Sequence, residues 1–325
     1  MKKLIAGALT GVLICSLCAC GGTAENAETT ASSSKPETLT VAYQYGLAYA
    51  PLTIMQEQGL IEKHYDGEIK VEWVNLNSGS AINEGVASGD IDVANMGIGP
   101  FVTGVTKGIP YKMYATMAAQ PHALMTNDDS IQSLADITSD KKISVVNIGS
   151  IQHILLAMFA EKELGDAHAL DDNLVAMSHP DGMTALVSGS VNCQLTTAPY
   201  IFKEEEQGMR EVAGLEEVWP EGNAFIVGLV SDNLYENHPE VYEAVVAATE
   251  EAMEYLNNNK EEVAEVLAEK EDVDTETMLS WMNDPGCVYD TKLPGVMDMA
   301  TFMAEAGFIE NAPESFEAIT TDSAR

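Results

Sequence analysis

Between Leu39 and Thr197 the sequence runs twice through the same alternation of short strand and helix, and this repeat limits the available folds more than any other feature. The first pass predicts strands over 39–42, 68–74, 91–94 and 111–117, with helices over 51–57, 80–87 and 101–106 between them. Ile69, Val71 and Trp73 fall on one face of the second strand, with charged residues between them, as a period of two requires. Pro51 suits the first turn of its helix and Gly59 can end it. The second pass predicts strands over 142–147, 174–177 and 191–195, helices over 150–164 and 181–187, and another helix opening at Pro199. Gly89-Asp90-Ile91-Asp92-Val93 is faintly echoed by Gly189-Ser190-Val191-Asn192-Cys193, which supports two similar units. Alternating strands and helices build sheets of parallel type covered on both faces. The expected fold class is therefore α/β, with two α/β lobes. A strand over 223–230 is expected to return to the first lobe, and acidic amphipathic helices follow over 239–257, 260–268 and near 295–306.

Ahead of this lies a leader. Met1-Lys2-Lys3 is basic, Leu4 to Leu17 is largely apolar, and the stretch closes on Leu17-Cys18-Ala19-Cys20-Gly21-Gly22. Small residues at the scissile bond with a Cys directly after it read as a bacterial lipoprotein signal. The apolar stretch is too short for a comfortable membrane span. Residues 1–19 are expected to be removed, leaving Cys20 as the lipid-attachment site of an extracytoplasmic, membrane-anchored chain. Residues 20–37, rich in Ala, Ser, Thr and Glu, are expected to form a flexible tether.

Charge narrows the partners. Sixteen Lys plus Arg stand against 51 Asp plus Glu, a formal net charge of −35. Such a surface repels nucleic acid and anionic lipid and favours solubility. No calcium-loop motif accompanies the acidic residues, so they read as a solvated exterior. Arg210 and Arg325 are the only arginines, so no pocket can be built on a cluster of guanidinium groups. Of the five cysteines, Cys15 and Cys18 leave with the leader and Cys20 takes the lipid. Cys193 and Cys287 remain, either as buried thiols or as a disulfide. No spacing of Cys or His suggests a metal.

Several short motifs in a fixed order resemble those of the nitrate/sulfonate/taurine group of ABC-transporter substrate-binding proteins. They are Ala50-Pro51-Leu52 through Gly59-Leu60-Ile61-Glu62-Lys63, then Gly89-Asp90-Ile91-Asp92-Val93-Ala94, Gly97, Gly99-Pro100 and Gly108-Ile109-Pro110. The second lobe adds Ser133-Leu134-Ala135-Asp136, Lys142-Ile143, Gly149-Ser150, His153, Ala185-Leu186 and Gly189, and His238-Pro239-Glu240-Val241 follows. The likeness covers roughly residues 38 to 310, and its order and spacing are more specific than any one motif. It implies a type II periplasmic-binding-protein fold, with residues 38–120 plus 226–325 as one lobe, 121–225 as the other, and crossings near 118–124 and 223–227. It also implies a small molecule captured between the lobes and delivered to a permease with its cytoplasmic ATPase. The chain is then a monomer without cofactor, metal or catalytic residues.

In open α/β sheets ligands sit beyond the carboxyl ends of the strands. Those ends carry Gln44, Tyr45, Tyr49, Gly79, Ser80, Gly97, Ile98, Gly149, Ser150, His153, Thr196 and Thr197, which we take as candidate ligand-binding residues. Several open helices, where free N–H groups favour an anion or a polar acceptor. Ser150 would also serve as an ordinary helix cap, and His153 as a packing or capping residue. The scarcity of Arg weakens the case for a tightly paired sulfonate. Tyr45, Tyr49 and Tyr200 with Gln44, Gln120 and Asn223 would equally suit a flat ring, as in a thiamine-pyrimidine precursor. An enzyme on the same fold is a further alternative, with no nucleophile motif or Cys cluster to favour it, and a structural or adhesive surface lipoprotein is another, which leaves the two-lobe pattern unexplained.

Overall fold

Each lobe is a five-stranded sheet whose helices start from strand ends, and local signals set most of these boundaries. The computed structural model describes residues 37–214 and 218–325. The leader, Cys20 and nearly all of the tether lie outside those residues. Chain order in the first part is β1 (Thr38–Tyr43), α1 (Ala50–Gln58), α2 (Leu60–His64), β2 (Lys70–Asn75), α3 (Gly79–Ser88), β3 (Val93–Gly97), α4 (Ile98–Thr106) and β4 (Tyr111–Ala118). Pro51 enters α1 in its first turn, and Gly59 ends it at φ 57°, a left-handed conformation costly for residues with a Cβ. The second part contains β5 (His122–Thr126), β6 (Ile143–Val145), α5 (Ile151–Leu164), β7 (Leu174–Ala176), α6 (His179–Val187), β8 (Cys193–Thr197), α7 (Tyr200–Glu206) and β9 (Arg210–Gly214). The chain then adds β10 (Ile226–Ser231), α8 (Asp232–Asn237), α9 (Pro239–Asn258), α10 (Lys260–Glu271), α11 (Thr275–Met282) and α12 (Val296–Glu305).

The two sheets have matching strand orders, β2-β1-β3-β10-β4 and β7-β6-β8-β5-β9. In the first, β1 runs parallel to β2 and β3, pairing Thr38 with Lys70 through Tyr43 with Asn75. The fourth position breaks the expected parallel pattern. β10 lies antiparallel between β3 and β4, and β5 lies antiparallel between β8 and β9. The reason is topological: each of these strands arrives from the other lobe, through residues 119–121 or through the connection from β9 to β10, and so enters its sheet from the opposite end. Strand direction leaves no trace in a pattern of buried residues, and all of β5 and β10 is buried.

Apolar burial holds the assembly. Val241, Ala244, Val245, Ala248, Ala252 and Leu256 line the inner face of α9 at helical spacing, and α9 packs on α1 and α2. In α5 every residue from Ile151 to Ala160 is buried, because this helix packs between the second sheet and α4 of the first lobe. Cys193 and Cys287 are buried free thiols, and burial raises them to about 11 and about 12. Among the described residues no helix is long and apolar enough to cross a membrane, and no group of His, Cys, Asp and Glu could hold a metal ion.

Candidate functional site

Strand order reverses at β1, whose neighbours β2 and β3 continue in opposite directions along the sheet, and the same holds at β6. Such switch points open a crevice at the carboxyl ends of the strands. Here the two crevices face each other and form one cleft. It is lined from the first lobe by Gln44, Tyr45, Ala48, Tyr49, Asn77, Gly79, Gly97 and Pro100, and from the second by Val146, Asn147, Ser150, Ile151, Gln152, His179 and Thr197, with Phe225 and Ile226 at a crossing.

Four helices begin at this cleft. Ser78 caps α3 by accepting from the Ala81 N–H, and the first residue of α3, Gly79, forms part of the wall. Gly97 is the cap residue of α4. Ser150 Oγ accepts from the His153 N–H at the start of α5 (3.2 Å). Ser178 caps α6, whose first residue is His179. Each helix start brings a partial positive charge, although the Ile98 N–H already donates to the Phe225 carbonyl, Pro100 and Pro180 carry no N–H, and the capping serines take those of Ala81, His153 and Asp181. The lining contains no Lys, Arg, Asp or Glu, so any attraction for an anion comes from these dipoles and from neutral donors.

Those donors are fixed by neighbours. Tyr49 donates to Gln44 Oε1 (3.2 Å), and burial raises its phenol well above the usual range. Thr197 donates to the Pro121 carbonyl (2.8 Å). The Gln152 amide meets His179 Nε2 at 3.1 Å, and the His179 ring stacks on Tyr200 with centroids 5.1 Å apart. Burial lowers His179 to about 4, so its imidazole is neutral at pH 7. Tyr45, 40% exposed, stands on the rim.

The lobes meet closely here. The Leu47 N–H donates to the Ala198 carbonyl at 3.1 Å, from one lobe to the other. A Cβ on Gly97 would lie 2.8 Å from Ile151 Cγ2, and one on Gly99 3.2 Å from the Gly149 carbonyl oxygen. Glycine at both positions is what lets α4 come this near to α5. The space left between the lobes here is about 30 Å³, room for a water or two.

Of the twelve candidate residues, Gln44, Tyr45, Tyr49, Gly79, Gly97, Ser150 and Thr197 come together in the cleft. The other five do not line it. Ser80 is exposed, pairs with Ser78 Oγ at 3.1 Å, and with Gly149 borders a neighbouring groove beside α3 and α4. Ser80 and Ser150 are therefore on different cavities rather than opposite each other. Ile98 and Thr196 are fully buried, with Thr196 Oγ1 accepting from Gln194 Nε2 (3.4 Å). His153 turns away from the cleft: its Nδ1 accepts from the Gly149 N–H (3.0 Å) and its Nε2 meets Asp171 Oδ1 (3.0 Å). Among the lining residues outside the twelve are Asn77, Gln152 and Phe225, which the sequence does not single out, and His179, which the sequence places at a strand end but not among the candidates. Asn77 and His179 adjoin helix starts already singled out, and Gln152 is two residues beyond Ser150. Phe225 arrives from a distant crossing and carries no local signal.

Residues 32–269 match the NMT1-like family. A taurine-binding periplasmic protein of Escherichia coli (strain K12) is 25% identical over 224 residues, spanning 68% of this chain and 67% of that protein. A putative aliphatic sulfonates-binding protein of Bacillus subtilis (strain 168) is 24% identical over 230 residues, or 69% of this chain and 68% of that one. Among solved structures, an alkanesulfonate-binding protein of Xanthomonas axonopodis pv. citri bound to MOPS superposes with a TM-score of 0.71 at 17% identity, covering 88% of this chain and 98% of that one. The shared architecture is the periplasmic-binding-protein fold.

Proposed function

The chain belongs to the NMT1-like family, and from that premise we propose that it is an extracytoplasmic substrate-binding protein that captures a small organic or inorganic anion between two lobes and hands it to an ABC importer. One observation carries the reading: four helix N-termini, two from each lobe, open onto a single cleft lined by neutral donors. Each terminus contributes roughly 0.3–1 kcal/mol toward an anion, and the contribution requires no arginine. The relatives named for taurine and aliphatic sulfonates point to the same class of ligand. We take residues 38–120 plus 226–325 as one lobe and 121–225 as the other, with Gln44, Tyr45, Tyr49, Ser150, Gln152, His179 and Thr197 supplying the ligand contacts. The lipid anchor at Cys20, the monomeric state and the permease with its ATPase belong to the same proposal.

Capture follows from the geometry. A ligand entering the parted cleft meets backbone N–H groups on both sides, and closure removes competing water, shifting an existing equilibrium between open and closed lobes. We assign no catalytic role to the lining side chains, since His179 Nε2 faces the Gln152 amide rather than a hydroxyl. A second reading, a flat neutral ring such as a thiamine-pyrimidine precursor, is favoured by the rings of Tyr45, Tyr49 and Phe225 in the wall.

Thermal-shift measurements on the mature protein separate these readings. Ethanesulfonate, taurine, nitrate, bicarbonate and an aminopyrimidine form the panel. A ligand at a hundred times its Kd stabilises by about 2.7 kcal/mol, or several degrees in Tm for a chain of this size. A shift with one of the anions supports the main reading, and a shift confined to the aminopyrimidine selects the second. No shift with any of the five overturns both.

A further inference from the structure

His153, absent from the cleft wall, belongs instead to a chain of hydrogen bonds that runs from the cleft loop of the second lobe to the first lobe. The Gly149 N–H donates to His153 Nδ1 (3.0 Å), which places the ring proton on Nε2, and that N–H donates to Asp171 Oδ1 (3.0 Å). The other carboxylate oxygen, Oδ2, accepts from His168 Nδ1 (2.8 Å). His168 Nε2 lies 2.7 Å from the carbonyl oxygen of Ala306. Ala306 caps the C-terminal end of α12, which packs against α4 in the first lobe. Phe308, just beyond it, meets both rings, with centroids 4.8 Å from His168 and 5.1 Å from His153.

Both partners of His168 are acceptors, a carboxylate and a carbonyl. A neutral imidazole carries one N–H and can satisfy only one of them, whereas an imidazolium satisfies both. We propose that His168 is a proton-operated latch: its charged form ties the second lobe to the end of α12 and holds the cleft shut, and its neutral form lets the lobes part.

The surroundings favour the charged form. The Ala306 carbonyl and then Asp171 raise the His168 pKa, with Asp166 adding to the effect. The partial negative charge at the end of α12 acts in the same direction. Partial burial of the His168 ring opposes the shift, while burial lowers the pKa of the neighbouring His153, whose Nδ1 accepts from the Gly149 N–H. The segment after α12 brings the Ala306 carbonyl and the Phe308 ring to this contact, with Glu305 and Glu310 flanking them in the sequence. A group whose pKa is raised by closure contributes its stabilisation at low pH and loses it as pH rises through the raised value. The closed state is therefore favoured in mildly acid medium. Because Gly149 borders the turn that leads to Ser150, the same chain of bonds holds the cleft loop in place while the latch is closed.

The inference rests on the two-lobed architecture and not on the identity of the ligand, so it is tested on the ligand-free mature protein. Nitroxide labels at the exposed positions Glu84 on α3 and Glu206 on α7 report the distance between lobes by pulsed dipolar spectroscopy, at about pH 5.5 and about pH 8 on either side of a histidine titration. Losing one charge-assisted hydrogen bond should raise the open-to-closed ratio roughly tenfold or more. His168→Phe keeps a ring against Phe308 but cannot be protonated, and should respond equally at both pH values. Asp171→Asn removes the carboxylate and should also abolish the response. An unchanged distance distribution in the wild type, or a full pH response in either variant, overturns the latch. A pH response that disappears in both variants supports it, whichever ligand the cleft takes.

Discussion

Glu204 offers the sharpest test of the energetics. It lies on α7 with 0% of its surface exposed, and neither carboxylate oxygen has a hydrogen-bond partner. Burial raises its pKa from the ordinary 4.5 to about 8. Between those values the folded chain holds one proton more than the unfolded chain, so stability falls as pH rises. At about 1.4 kcal/mol per pH unit, crossing the whole window costs roughly 4–5 kcal/mol. Glu204→Met fills similar volume without a charge or an unmet polar atom. At about pH 5 it should stabilise the fold by about 1–3 kcal/mol, the cost of leaving a buried polar group unsatisfied. At about pH 9 the advantage should grow by the further few kcal/mol that ionisation removes from the wild type. Urea unfolding followed by circular dichroism across this range measures both values. A stability difference that stays constant with pH would show that Glu204 is charged in the folded state or ionises as it does in the unfolded chain, and the burial argument would be wrong.

Four further outcomes are expected. Gly97→Ala puts a methyl group within 3 Å of Ile151, so affinity for any cleft ligand should fall at least tenfold while Tm changes little; calorimetric titration checks it. Ser150→Ala should cost about 1 kcal/mol of stability as a lost cap and weaken binding by a further 1–3 kcal/mol if the hydroxyl also donates to ligand. Ser80→Ala, on the neighbouring groove, should leave affinity unchanged, and a matching loss in both serine variants would relocate the binding site. Cys20→Ala should abolish incorporation of radiolabelled fatty acid, and undiminished label would refute the lipid anchor.

What the sequence revealed and what it hid follow from the range of each interaction. Pro51, Gly59, Ser78, Ser150 and Ser178 act within a few residues, so the helices they start or stop were legible. The edge strand β9 and the fully buried β5 carry no period of two. The latter follows Pro121 directly, and its residues read as part of a crossing. The cleft was legible where it is made of strand ends, which is why seven of the twelve candidates meet there. It was illegible where a side chain must choose a direction. His153 sits at an inviting helix start, yet the Gly149 N–H and the Asp171 carboxylate draw its ring away. Ser80 is one residue beyond Gly79, and that rotation about the helix axis moves it to another groove.

The strand order of the first sheet also has a consequence for synthesis. β3 and β4 are not neighbours; β10 lies between them, and the ribosome makes β10 only after the whole second sheet. Until then the first lobe has two unfilled edges and cannot complete its core, so its folding waits on contacts of very long sequence separation. Such contacts form slowly. A sheet that cannot close before β10 is made leaves the first lobe incomplete until the second has been synthesised.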